Sequence, residues 1–340
     1  MAKIIPVAEA ANLWRMVGNT PMMAISYRFR CGAEQTLLVK CEQYNLTGSI
    51  KDRMALYILQ KAQEQGALKP GDTIVEATSG NTGIAFAAIG RALGHRVKII
   101  MPDWMSMERR AIIKSYGAEV ELVSQEQGGF LGAIRIAGSM AHFDDVFLPQ
   151  AFENQYNAEA HEKTTGREIG HLLLLEQLVP GAFIAGVGTG GTVMGVGKYL
   201  RTLFPKIKVH PLEPAESPTL SNGYKNGNHR IQGISDEFVP PIIDLKALDD
   251  IIRVHDGDAI MMAQLLSTEL GLGVGISSGA NFLGAVKLQQ QFGLDSVVVT
   301  VFPDDHKKYV STDLFRTEHG RSGYLSPFIQ LTGYHALDKR

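Results

Sequence analysis

The chain has 340 residues, 45% of them hydrophobic, with 33 basic and 35 acidic side chains for a formal net charge of −2. This length leaves room for two units around a shared cleft, and the evenly mixed charge offers no basic stripe to track a phosphate backbone, which argues against nucleic acid as a partner. Apolar runs such as 172–175 and 297–302 fall far short of the roughly 20 residues that span a bilayer.

The first 14 residues are broken by Pro6, Glu9 and Asn12 and do not read as a signal peptide, so the expected location is the cytoplasm. Cys31 and Cys41 flank a strand-like stretch, 36–40, and make neither a metal spacing nor a disulfide framework; both are read as reduced structural thiols, and no metal site is expected. Next comes Asn45-Leu-Thr-Gly-Ser-Ile-Lys51-Asp52-Arg53, where turn residues Asn45 and Gly48 lead into an amphipathic helical pattern. Lys51 thus stands at a loop-to-helix junction. Unpaired N–H groups and the positive end of the helix dipole disfavour a second cation there and help hold the amine neutral, able to attack an aldehyde. A solvated lysine at a helix start satisfies the same local pattern.

Beyond it, short β-branched runs alternate with helical stretches: 73–76 before 83–93, 97–101 before 107–115, and 119–123 before 129–141. A second series follows, with 183–187 before 193–204, then strands at 208–213 and 297–302. This βαβ patterning predicts an α/β fold of two open, twisted, mostly parallel sheets covered by helices, with ligands beyond the carboxyl ends of the strands. No internal repeat or long linker is visible, so the two units are expected to interleave. Residues 316–340 mix Gly, Ser, Pro and aromatics without period and read as a disordered tail or an arm on a partner subunit.

Three glycine-rich loops fall at strand-to-helix turns. Thr78-Ser79-Gly80-Asn81-Thr82-Gly83 combines close backbone approach, hydroxyl donors and a helix N-terminus, a geometry for a carboxylate or phosphate, and Asn81 can add its amide to a phenolate oxygen. Gly188-Thr189-Gly190-Gly191-Thr192 offers a nest of N–H groups but lacks the lysine of a nucleotide P-loop and the spacing of a dinucleotide fingerprint. It suits a small phosphorylated cofactor better than ATP or NAD. Gly275-Ile276-Ser277-Ser278-Gly279-Ala280 precedes a helix predicted at 281–291, and a serine there suits either a helix cap or a pyridine nitrogen.

Lysine, asparagine loop, glycine nest and serine loop, in this order, resemble the fold-type II (tryptophan synthase β-like) pyridoxal phosphate enzymes of the cysteine synthase (O-acetylserine sulfhydrylase) and cystathionine β-synthase family. The likeness runs from Val17-Gly18-Asn19-Thr20-Pro21 to Tyr309-Val-Ser-Thr312 and includes Met105-Ser-Met-Glu-Arg-Arg110 and His161-Glu-Lys-Thr-Thr-Gly166. It implies pyridoxal 5′-phosphate on Lys51 as Schiff base, with Asn81 on its 3′-oxygen, residues Gly188, Thr189, Gly190, Gly191 and Thr192 on its phosphate, and Ser277 at its ring nitrogen. Thr78, Ser79, Asn81 and Thr82 would grip the substrate carboxylate. Residues 46–152 would form a smaller, mobile domain, 1–45 with 153–315 the larger cofactor-binding domain, and 316–340 a tail.

The implied reaction is β-replacement through an aminoacrylate: Lys51 removes the Cα proton, a group leaves Cβ, and a nucleophile adds. Cysteine synthesis from O-acetylserine and sulfide is the leading expectation. One alternative consumes cysteine, releases sulfide, and adds water or a thiol to give serine or a thioether amino acid. Another is a docking paralogue that binds the tail of serine acetyltransferase. A homodimer is implied in each case. Two positions depart from the family pattern. Ala151 stands where a carboxylate-binding glutamine is usual, with Gln150 one step earlier, and Asp236 with Glu237 replaces small residues. Asp236 is therefore a candidate base for water or a thiol, or a charge that repels an anionic nucleophile, while a solvated acidic loop is the plain alternative. His306, after the last strand, reads as a surface residue.

Overall fold

The computed structural model describes residues 10–337 apart from Ser79. Eleven strands appear among the described residues: β1 (Met22–Phe29), β2 (Glu34–Cys41), β3 (Thr73–Ala77), β4 (Arg96–Pro102), β5 (Glu119–Val123), β6 (Val146–Phe147), β7 (Pro180–Gly186), β8 (Lys208–Pro214), β9 (Ile252–Val254), β10 (Val297–Phe302) and β11 (Ile329–Ala336). They form a seven-stranded sheet in the order β11-β1-β2-β10-β7-β8-β9 and a four-stranded sheet in the order β5-β4-β3-β6. The smaller sheet is wholly parallel, and in the larger one the pairs from β2 through β10, β7 and β8 to β9 are parallel. Central strands such as Val297–Phe302 are apolar nearly throughout because helices cover both faces.

The C-terminal stretch departs from expectation. Instead of a disordered tail or an arm, it supplies β11, which pairs antiparallel with β1 and closes one edge of the larger sheet. The alternation of buried and exposed residues lasts only from Ile329 to Thr332, because a bulge between Ser26 and Tyr27 shifts the register and Gly333 sits at φ +155°. A bulge interrupts the period of two on which a strand is recognised.

The serine loop also differs. The helix there runs Ile276–Phe292, so Ser277 and Ser278 lie in its first turn instead of ahead of it. Turn-like Ser-Ser-Gly is overridden by packing: a Cβ on Gly279 would meet the Ala259 carbonyl oxygen at 2.1 Å, so only glycine lets the two helices approach this closely.

Each sheet has its own core. Ile74, Ile84, Phe86 and Ile99 pack with Met54 and Leu56 of the helix Lys51–Glu64 around the smaller sheet, and Ile25, Ile184, Phe282 and Phe302 share a core of the larger one. A buried ionic network joins that helix to β2. The Arg53 guanidinium donates to Glu42 at 2.5 and 2.8 Å and to Glu168 at 2.7 and 2.8 Å, and Lys40 Nζ lies 2.7 Å from Glu168. The start of the helix, and with it Lys51, is therefore fixed against the larger sheet. Among the described residues no helix is long and apolar enough to cross a membrane.

Candidate active site

Lys51 is the first residue of its helix, and the loop before it is tied down by main-chain contacts. Ile50 N–H donates to the Pro303 carbonyl at 2.8 Å, Ser49 bridges Asp304, and Thr47 donates its N–H and hydroxyl to Asp52 at 2.6 and 2.5 Å. Gly48, at φ +75°, has no room for a side chain, since a Cβ would lie 2.3 Å from Asp305 Oδ2. Burial lowers the Lys51 amine below the usual lysine range; Asp304 and Asp236 pull it back up, and Lys308 pushes it further down. An amine shifted toward its neutral form is a competent nucleophile and base.

Thr78 follows β3, and the helix Asn81–Ala92 begins after Gly80, whose N–H donates to Thr78 Oγ1 at 3.1 Å. Thr78, Gly80, Asn81 and Thr82 line the same cleft as Lys51, while Ser79 lies outside the described residues. Asn81 Nδ2 donates to Asp304 Oδ2 at 2.7 Å, and its Oδ1 has no partner among the described residues.

The glycine nest follows β7. Gly190 turns through φ +91° into the helix Gly191–Leu203, whose first N–H groups need an acceptor. A Cβ on Gly191 would lie 1.9 Å from Asn157 Oδ1, and one on Gly188 would lie 2.3 Å from the Gly233 carbonyl oxygen. Asn157 Nδ2 donates to Thr189 Oγ1 at 2.8 Å and to the Ala151 carbonyl at 2.7 Å. Behind Thr192, His161 Nε2 stands 3.4 Å from its hydroxyl and Nδ1 stands 2.9 Å from Thr165, and burial pushes the imidazole down to about 3, so it is neutral. Gly188, Thr189 and Thr192 face the cleft, with Gly190 and Gly191 making the turn beneath them. Ser277 lines the cleft too and is 5% exposed.

Asp236 enters the cleft from the loop 233–237. Ser235, at φ +54°, is held in this conformation by its N–H on the Val187 carbonyl at 2.8 Å and its hydroxyl on the Ser217 carbonyl at 2.8 Å, which aims the next side chain inward. Burial pushes the Asp236 carboxyl up to about 6, against the opposing charges of Lys51 and Lys225. Glu237 sits at the mouth, 3.5 Å from Lys225.

Ala151 is fully buried and does not line the cleft; Gln150, at φ +51°, lines a separate, largely apolar cavity. Phe152 forms a wall shared by the two, packed between Phe130 and Phe238 at centroid distances of 5.7 and 5.2 Å. His306 stacks on Phe315 at 5.8 Å, away from the cleft-lining residues. The two cysteines divide: Cys41 is buried with its thiol pushed up to about 12 by that burial, whereas Cys31 is exposed, so a packing role fits only Cys41. Sequence reasoning missed Arg109, Gln232 and Asp304. Arg109 lay within the Met105–Arg110 motif, and Asp304 lay in the stretch singled out only for His306. Gln232 carried no signal.

Residues 13–304 match the family described as pyridoxal-phosphate dependent enzyme. The chain belongs to this family. It is 41% identical over 304 residues to a cysteine synthase of Staphylococcus aureus, covering 89% of this chain and 96% of that one. It is also similar to the crystal structure of a hydrogen sulfide-producing enzyme from Fusobacterium nucleatum, with 54% identity, 96% and 98% of the chains covered and a TM-score of 0.94. A cysteine synthase structure from Entamoeba histolytica is 34% identical over 92% of each chain, with a TM-score of 0.83.

The pyridoxal-phosphate dependent family implies a cofactor, and the cleft fits it. The nest of Gly188, Gly190 and Gly191 packs too closely against Gly233, Ile243 and Asn157 to admit side chains, and it stands at the N-terminus of a helix flanked by two threonines, which suits a phosphate monoester. A lysine with a depressed pKa and the small hydroxyl of Ser277 line the same space.

Proposed function

We propose that this β-replacement enzyme exchanges the group on Cβ of a three-carbon amino acid at the level of cysteine. Lys51, Asn81, Ser277 and the 188–192 loop hold pyridoxal phosphate, and Thr78, Ser79, Asn81 and Thr82 take the substrate carboxylate. When bound, the cofactor supplies an electron sink for the electrons left at Cα. The Lys51 amine removes the Cα proton as general base and returns it at the end. Phe152 and its aromatic neighbours limit water on one side of the cleft. Residues 46–152, which contain the smaller sheet and the substrate loop, act as the unit that closes over the amino acid.

Formation of cysteine from O-acetylserine and sulfide, with loss of acetate, is supported by the cysteine synthase relatives at 41% identity. A second reading rests on Asp236. A carboxyl raised to about 6 in the cleft can take a proton from a neutral nucleophile at neutral pH, which the sulfide anion does not need. In that reading cysteine is the donor, its C–S bond breaks to release sulfide, and water adds at Cβ to give serine. The sulfide-producing enzyme at 54% identity supports it, as does a variant of that protein, carrying asparagine for an aspartate, solved in complex with the alpha-aminoacrylate intermediate.

The deciding experiment measures kcat/KM on one preparation of holoenzyme for sulfide and serine release from cysteine, and for cysteine formation from O-acetylserine plus sulfide. Asp236 as the base for water predicts that the first exceeds the second. The reverse order returns the chain to cysteine synthesis, and no turnover in either assay overturns the proposal.

A further inference from the structure

Asp304, directly after Pro303 at the carboxyl end of β10, is the point where the loops of the cleft meet. Its backbone bridges Ser49, two residues before Lys51, and its carbonyl accepts the Gly275 N–H at 3.0 Å, two residues before Ser277. Its carboxylate Oδ2 accepts Asn81 Nδ2 at 2.7 Å and the Tyr309 hydroxyl at 2.5 Å. The residue is 1% exposed, and its Oδ1 has no partner among the described residues. Gly275 makes room for this oxygen, since a Cβ there would lie 2.0 Å from it. A buried carboxylate so placed is costly unless it is paired or hydrogen-bonded to a purpose.

An ionised carboxylate only accepts hydrogen bonds, so it can hold only the nitrogen end of the Asn81 amide. That nitrogen carries two hydrogens. Asp304 takes one and thereby fixes the amide plane, leaving the second for a group in the cleft that Asn81 lines. Tyr309, fully buried, holds the same oxygen from the other side, and its ring lies under the Arg109 guanidinium at 5.2 Å. The carboxylate is thus braced from both the substrate loop and the segment after β10.

We propose that Asp304 is a positioning residue of the reaction: it presents the Asn81 amide nitrogen to the cofactor's ring oxygen and keeps a negative charge on the turn that Ser49 bridges, two residues before Lys51. This deepens the reading of Lys51 and Asn81 as cofactor contacts and rests on it. The charged groups acting on Lys51 are Asp304 and Asp236, which favour its protonated form, and Lys308, which disfavours it.

The test uses three variants: Asp304→Asn, which keeps the shape and an acceptor oxygen but removes the charge, Tyr309→Phe, and Lys51→Ala as control. For each, the pH midpoint of the bound cofactor's visible absorbance, the affinity for pyridoxal phosphate by fluorescence titration, and the melting temperature are measured. Asp304→Asn is expected to move the absorbance midpoint down by about one pH unit or more, the shift that loss of a neighbouring opposite charge produces, and to weaken cofactor binding about tenfold. Tyr309→Phe keeps the charge but removes a donor that partly neutralises it, so it is expected to move the midpoint slightly up while weakening cofactor binding, and it carries the test should Asp304→Asn not fold. A midpoint and affinity equal to the parent's in the folded variants overturn the proposal, as does a loss of melting temperature with an unmoved midpoint. Lys51→Ala separates the two levels: if it keeps the parent's absorbance, the reading of Lys51 fails, whatever Asp304 does.

Discussion

Glu76 Oε2 accepts the main-chain N–H of Ala151 at 3.1 Å, so a side chain at the end of the smaller sheet fixes the segment that carries Phe152 into the cleft. Its other oxygen accepts the Ala77 N–H at 3.0 Å. Burial outweighs both hydrogen bonds and pushes the carboxyl from 4.5 up to about 7. The folded state therefore holds this proton over a window in which the unfolded chain has lost it, and stability falls as pH rises through that window. Glu76→Gln is expected to flatten the pH dependence of the melting temperature between those two values. A slope unchanged from the parent's would mean that Glu76 is ionised throughout.

The glycine nest allows a sharper steric test. Asn157 is held by two hydrogen bonds and cannot turn away from a Cβ at position 191, which would come within 1.9 Å of its Oδ1. Gly191→Ala is expected to push Asn157 off Thr189 and weaken cofactor binding by at least about tenfold, a cost of about 1.4 kcal/mol or more. Gly138→Ala, on a helix where a Cβ meets nothing within 4 Å, is the matching control and should leave affinity unchanged. Fluorescence titration of both variants with pyridoxal phosphate reads the difference.

Much of this site was legible because its chemistry needs particular residues at strand ends. Thr189 stands in a loop, and Lys51, Asn81 and Ser277 in the first helical turn after one, where glycines and hydroxyls have a physical reason to be, and the structure brings all four to one cleft. What escaped were contacts between distant segments. Nothing near Asp304 in the chain tells that its oxygen will meet Asn81, 223 positions away, and Glu76 reads as an ordinary strand residue until Ala151 is set against it. Local spacing reports periods and turns, whereas pairings of this kind exist only after the sheets have packed. The missed strand β11 is the same lesson at the level of the fold, since its bulge is shaped by β1 at the other end of the chain.

Arg53 offers a test of how Lys51 is anchored. Burial alone would raise the Glu42 carboxyl, but Arg53 and Lys40 hold it well below the usual range. That stabilisation is present above the carboxyl's unfolded value and is lost as pH falls through the depressed one. Arg53→Met leaves Glu42 buried without its guanidinium and is expected to cost about 3–5 kcal/mol in denaturant unfolding at neutral pH. The deficit should shrink in acid, where Glu42 is protonated in the variant. A loss below about 1 kcal/mol would place the network's role outside stability.

Asp236 and Lys51 share the cleft, yet the proposed reaction gives them separable roles. Lys51 handles the Cα proton, and Asp236 the proton of the incoming water. A base must be ionised to accept that proton, so serine and sulfide formation from cysteine should rise as pH increases through about 6, the value to which burial pushes Asp236. Asp236→Asn removes the base without changing the shape and is expected to lower that turnover by about 10²–10⁴ and abolish the limb near this pH. Exchange of the Cα proton with solvent deuterium, read by NMR or mass spectrometry, should continue near the parent's rate, because the Lys51 amine still performs it. Equal losses in exchange and in turnover would show that Asp236 acts through Lys51 and not on the nucleophile, which would remove the main reason for reading cysteine as the donor.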